Sequence, residues 1–89
     1  MITVKRFTAP WCAPCRMLAP VLSGLATEYP DVVFETVDVD AQPEVAQQYD
    51  IRSVPTVIIF KNDEIVTSIV GANAKQQYVD AIEIVKGAA

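Results

Sequence analysis

Two periods of apolar spacing alternate along the chain, and their order predicts its elements. Residues 3–7 have a period of two, with Ile2 and Val4 on one face and Thr3 and Lys5 on the other, and Pro10 closes this strand. The spacing then becomes helical, because Leu18, Val21, Leu22, Leu25 and Tyr29 fall on one side of a helix. Pro14 sits in the first turn of that helix, where a missing N–H costs little. Pro20 lies inside the pattern, which continues past it, so a bend rather than a stop is expected, and Pro30 helps to close the helix. Residues 32–39 read as a second strand, and the helical connection from the first implies a right-handed parallel β-α-β unit. A shorter helix follows over residues 41–49. Residues 56–61 are apolar on both faces, as in a central strand, and Asn62-Asp63 can turn tightly into residues 64–70 to make a hairpin. After Gly71, Asn73 is expected to cap a last helix with Gln76 reaching back, its buried stripe being Tyr78, Val79, Ile82 and Val85. The order is β-α-β-α-β-β-α. A four-stranded mixed sheet with helices on both faces, an α/β fold, is the economical way to bury these stripes.

Composition narrows the class. At 89 residues the chain reads as one domain over residues 1–89, because a second core would leave each half too small to be stable. With 52% hydrophobic and 20% charged residues it can order a core, which argues against intrinsic disorder. A net charge of -4 has the wrong sign for binding nucleic-acid phosphates, and no Lys/Arg cluster stands out. Residues 1–5 lack the pattern of a secretory signal, and the longest apolar run, residues 54–60, falls far short of the ~20 residues a membrane span needs. A cytoplasmic chain with no membrane partner is therefore expected.

The chemistry concentrates at Trp11-Cys12-Ala13-Pro14-Cys15, where a strand ends and a helix begins. Cys12 would occupy the helix N-terminus, whose unpaired N–H groups and dipole stabilise a thiolate; such sites lower a thiol pKa to roughly 3.5–7.5. That makes Cys12 the attacking sulfur. Cys15, one turn on and more buried, would resolve the mixed disulfide between Cys12 and a substrate, and its tethering makes that release intramolecular. Zinc is the first competing use of such a pair, but a structural site takes four ligands, and this chain has no His and no third Cys, so metal would need a site shared in a dimer. A static disulfide is the second, and its short loop would constrain the unfolded chain weakly. Trp11 is either core packing or a partly exposed wall of the site, and its place beside Cys12 favours the wall. Gly71 can be a simple turn, a close approach for a substrate backbone, or both.

Together with Arg16, Met17-Leu18-Ala19-Pro20, Val37-Asp38-Val39-Asp40 and Ile51-Arg52-Ser53-Val54-Pro55-Thr56, this motif resembles the thioredoxin family over nearly the whole chain. The resemblance implies a thioredoxin-like fold and a protein-disulfide oxidoreductase that needs no bound cofactor, because the exchanged electrons reside in the two sulfurs. It implies that Pro55 follows a cis peptide bond beside the cysteines and that Val54 pairs its backbone with an extended substrate. Trp11, Ala13, Pro14, Val54, Pro55, Gly71 and Ala72 would form a shallow apolar surface for docking protein disulfides. The implied partners are those substrates and a donor such as thioredoxin reductase, with ribonucleotide reductase among the targets compatible with a short chain; a monomer is expected.

The departures from the family matter as well. Relative to ordinary thioredoxins an N-terminal strand and helix are lacking, an outline closer to glutaredoxins, which leaves the second strand as an exposed edge where Glu35 would discourage pairing. The family's tryptophan before the motif is Thr8, and its glycine between the cysteines is Ala13. Its buried aspartate falls on Arg6 and the neighbouring lysine on Thr36. Arg6 pointing at the site would favour thiolates and make the protein less reducing, whereas an Arg6 with its stem along the sheet and its head in water would do neither. Two further functions stay open: a glutathione-dependent glutaredoxin, disfavoured because Ala72-Asn73 follow Gly71 where an acidic pair is usual, and a non-enzymatic interaction module using the same apolar surface.

Overall fold

The computed structural model describes residues 1–87 and contains the expected succession of elements. These are β1 (Ile2–Thr8), α1 (Ala13–Glu28), β2 (Val32–Asp38), α2 (Pro43–Gln48), β3 (Thr56–Lys61), β4 (Glu64–Val70) and α3 (Lys75–Gly87). The four strands form one mixed sheet in the order β2-β1-β3-β4. β1 is parallel to β2, with Val4 opposite Phe34, and antiparallel to β3, with Val4 opposite Ile59. β3 and β4 make the hairpin, and Asn62 and Asp63 both adopt the positive φ (53° and 70°) of a tight turn whose twist matches the strands.

Strand periodicity sorts the core onto the two faces of the sheet. Val4, Val57 and Ile59 pack with Leu18, Leu22 and Leu25 of α1 and with Tyr78, Ile82 and Val85 of α3. Phe7, Val37, Ile58 and Phe60 point the other way, against Val45 and Tyr49 around α2. On that second face the Lys5 ammonium lies 5.1 Å from the centre of the Tyr49 ring and 3.6 Å from the Glu35 carboxylate. Glu35 thus makes an ion pair within the sheet. α1 runs through Pro20 without stopping, and Pro14 sits at its start. No helix among the described residues is long and apolar enough to cross a membrane.

Two helix starts lie later than the sequence suggests. α2 begins at Pro43 instead of residue 41, because the Asp38 carboxylate accepts the backbone N–H groups of Asp40 (2.9 Å) and Ala41 (3.2 Å) and holds them in a turn. α3 begins at Lys75, which takes Asn73 out of the capping position. The side chain of Asn73 instead donates to the carbonyls of Val70 (3.2 Å) and Gly71 (3.0 Å). The glutamine that reaches back is Gln77, to the N–H of Ala74 at 3.1 Å, while Gln76 donates to Asp80. The expected stripe is present, with Tyr78, Ile82 and Val85 buried and Val79 partly so.

Leu25 has no exposed surface and lies where α1 meets the sheet and α3. Leu25→Ala should therefore cost ~2–5 kcal/mol, read as a lower midpoint in chemical denaturation. The Tyr29 hydroxyl donates to Glu83 at 2.6 Å, tying the end of α1 to α3. That bond, then desolvation and nearby carboxylates, pushes the phenol up to about 12. Since the native state holds this proton more tightly, the contribution of the bond is complete below the ordinary tyrosine range near pH 10 and is lost as pH rises through about 12. Glu83→Gln should return the Tyr29 titration, followed by NMR of its ring signals, toward its ordinary range.

Candidate active site

β1 is held by ladders on both edges, so the residues after Thr8 leave the sheet at a fixed point. There the Cys12 N–H donates to the Ala9 carbonyl (3.1 Å), which turns the chain, and the Arg16 N–H reaches the Cys12 carbonyl (3.3 Å) as the first helical bond. Cys12 is the N-cap of α1, with extended backbone (φ -92°, ψ 103°), and its sulfur accepts the N–H of Cys15 at 3.2 Å. A sulfur thus occupies the place of a capping oxygen, against the positive end of a 16-residue helix. Cys12 and Cys15 form a disulfide, their Cα atoms 5.2 Å apart, so the structure shows the oxidised form. Both cysteines are buried, Cys12 at 4% exposure and Cys15 at 1%, so the contrast expected between them is slight. Ala9, Val39 and Val54 pack around the pair and account for this.

The residues expected to form a docking surface divide into three groups by exposure. Ala13, Pro14 and Ala72 are exposed, while Val54 and Gly71 are half-buried. Trp11 is 68% exposed, more than a partly covered wall, because its indole N–H donates to the Asp40 carboxylate at 2.9 Å and the ring is held out over the loop after β2. Pro55 is fully buried, so its side chain does not belong to the surface. The Val54–Pro55 peptide bond is cis, and the Pro55 carbonyl accepts the Gly71 N–H at 2.8 Å. Gly71 has φ +89°, a conformation costly for other residues. Beside Trp11 and Val54, the side chains of Val39, Ile51, Arg52 and Ser53 complete a cleft of about 130 Å³.

Tyr78 has a function that its place in a helical stripe did not reveal. Its hydroxyl donates to the Gly71 carbonyl and accepts the Asn73 N–H, each at 3.1 Å, so a buried residue of α3 ties down the loop that is bonded to Pro55. A tyrosine in a core stripe needs a partner for its hydroxyl, and that need was the available signal.

The Arg6 side chain is partly buried and makes no ion pair among the described residues. It lines an open cleft of about 270 Å³ together with Thr8, Ala9, Cys15, Arg16 and Asp38. Its guanidinium donates to Thr36 Oγ1 at 3.2 Å, so two of the positions that depart from the family pattern are bonded to each other. Partial burial pulls the guanidinium below its ordinary value. Arg16 is exposed and donates to the Pro10 carbonyl at 2.9 Å. No three metal-ligating side chains converge among the described residues.

Known proteins share this arrangement. Thioredoxin H5 of Oryza sativa subsp. japonica is 50% identical over 70 residues, covering 79% of this chain and 52% of the rice protein. Thioredoxin 1 of Synechococcus elongatus is 46% identical over 78 residues, covering 86% of this chain and 73% of its own. The chain thus spans about half the length of the rice relative. Among solved structures, the thioredoxin of Fasciola hepatica superimposes with a TM-score of 0.89 at 37% identity, over 93% of this chain and 79% of that one. The Thioredoxin family model matches residues 1–84, a span that includes the capped cysteine pair, the cis proline and the whole four-stranded sheet. A sulfur at the start of α1, beside a cis proline in a β2-β1-β3-β4 sheet, thus has its explanation in descent: the chain belongs to the thioredoxin family.

Proposed function

We propose that this chain is a thiol-disulfide oxidoreductase that reduces protein disulfides, with Cys12 as nucleophile and Cys15 as resolving thiol. The observation that carries the reading is the Cys15 N–H directed at the Cys12 sulfur at 3.2 Å, at the N-terminus of α1. In the reduced protein this donor and the helix dipole stabilise a Cys12 thiolate, the reactive form. The thiolate attacks one sulfur of a substrate disulfide, forming a Cys12–substrate bond and releasing the other substrate sulfur as a thiolate that takes a proton from water. Cys15 then loses its proton, and its sulfur attacks Cys12, closing the Cys12–Cys15 bond and expelling the second substrate thiolate. Two electrons pass from the protein dithiol to the substrate disulfide. An external dithiol, such as that of thioredoxin reductase, returns them.

The surface around Trp11, Ala13, Pro14, Gly71 and Ala72 serves for docking, with the Val54 backbone pairing with an extended substrate segment. The cleft between Trp11 and Ile51 takes an apolar side chain beside the scissile disulfide. A reducing compartment such as the cytoplasm suits this direction of electron flow, and ribonucleotide reductase is one candidate acceptor.

The test is disulfide reduction with dithiothreitol, glutathione, or NADPH plus thioredoxin reductase as the electron source. Cys12→Ser should fall to the uncatalysed rate with every donor. Cys15→Ser should make the first bond but accumulate a mixed disulfide visible by mass spectrometry, with turnover reduced ~10²-fold or more because release becomes bimolecular. Full activity of Cys12→Ser would overturn the assignment, and turnover supported by glutathione alone would replace it with a glutathione-dependent one.

A further inference from the structure

In the disulfide form Arg6 carries a charge that no anionic group among the described residues pairs. Its guanidinium is partly buried on β1, makes no ion pair among the described residues, and has a neutral hydroxyl as its bonded partner, Thr36 Oγ1 at 3.2 Å. A partly desolvated cation is costly without an anion nearby. The cleft it lines is also lined by Cys15, and in the disulfide form Cys15 carries no charge. When the disulfide opens, a thiolate can appear there.

We infer that Arg6 is a positioning residue for the proposed disulfide exchange, holding a positive charge across the cleft that stabilises the Cys15 thiolate and with it the dithiol form of the protein. The inference rests on the assignment of Cys15 as resolving thiol. The charged groups sharing the cleft are Arg6 from β1, Arg16 from α1 and Asp38 from the end of β2, with Cys12 bonded to Cys15. Arg16 is exposed and bonded to Pro10, so water screens it. Asp38 opposes Arg6, and its carboxylate is engaged by the N–H groups of Asp40 and Ala41. On the other side of Arg6, Glu35 lines a smaller cleft of about 110 Å³, with its carboxylate 3.6 Å from Lys5. Arg6 is the cation in the larger cleft whose charge is least compensated, in keeping with the downward displacement of its own titration by burial.

Resolution needs the Cys15 proton to leave before its sulfur attacks Cys12. With Arg6 lining the same cleft, the proton goes to water there and the guanidinium compensates the remaining negative charge, so the thiolate is prepared without a neighbouring base. At pH values where Cys15 is ionised, the same compensation stabilises the reduced protein relative to the disulfide, in which Arg6 lacks an anionic partner. In that pH range the protein is a weaker reductant than its cysteine motif alone would make it.

The test uses the whole chain, labelled at cysteine Cβ with carbon-13, in the wild type and in Arg6→Gln, Arg6→Lys and Asp38→Asn. Cys15 is titrated by NMR in the reduced protein without substrate, and the dithiol-disulfide equilibrium is measured against a glutathione buffer at a pH above the Cys15 titration of every variant, where its thiolate is populated. Arg6→Gln should raise the Cys15 titration by about one pH unit and shift the equilibrium about tenfold toward the disulfide, some 30 mV more negative. Arg6→Lys should stay within about twofold of the wild type, because it retains the charge. Asp38→Asn, which keeps an oxygen for the loop amides, should shift both readouts in the opposite sense. Agreement of Arg6→Gln with the wild type, or a shift of the same sign in Asp38→Asn, would overturn the inference. The Cys15 titration involves no substrate, so it reports on Arg6 even if protein disulfides prove not to be reduced.

Discussion

Val4 is paired with Phe34 on one side and Ile59 on the other, so β1 has ladder partners along both edges. A slip by one residue would turn Val4 and Phe7 out of their separate cores, and would break two registers at once. This double pairing sets where the chain leaves the sheet after Thr8. From there the Ala9 turn and the packing of Leu18, Leu22 and Leu25 against the sheet leave one phase for α1, which puts Cys12 at its N-cap and Cys15 one turn inside. The reactive sulfurs are therefore placed by the same contacts that hold the fold together.

Around that junction the polar contacts serve position more than stability. The Trp11 bond to Asp40 crosses from the site to the loop after β2, and Asp38, two residues earlier, organises that loop through Asp40 and Ala41. On the opposite side Tyr78 holds the Gly71 loop, which is in turn bonded to Pro55. Exposed bonds such as Trp11 to Asp40 add little free energy, since water competes for both partners, yet each restricts a side chain or loop that borders the cysteines. Buried cysteines in a rigid frame lose little entropy on reaching an attack geometry, and this suits an exchange between two sulfurs of one chain.

Much of this was legible in the residues. The period-two run to Phe7, the helical stripe from Leu18 to Tyr29 and the all-apolar β3 specified element type and order, and Asn62-Asp63 marked the hairpin turn. The Cys12/Cys15 spacing at a strand-to-helix junction announced the chemistry without any tertiary contact. The starts of α2 and α3 were less legible, because they are decided by local side-chain bonds: the Asp38 carboxylate accepts N–H groups before α2, while before α3 the Asn73 side chain donates to the Val70 and Gly71 carbonyls and Gln77 accepts the Ala74 N–H. Pro55 and Trp11 shared a predicted surface, but one is buried and the other stands out in solvent, a difference that depends on packing from distant segments.

By itself the sequence determined the elements, the faces they bury and the identity of the two sulfurs, because hydrophobic period, proline and glycine act over neighbouring residues. Only the tertiary structure decided the surroundings of Cys15. Arg6 could have extended its stem into water or faced the site, and no local pattern distinguishes the two, since the outcome turns on Thr36, Asp38 and Cys15 being brought around Arg6 from other elements. Electrostatic interaction depends on distance and on the water between charges, and neither is encoded by separation along the chain.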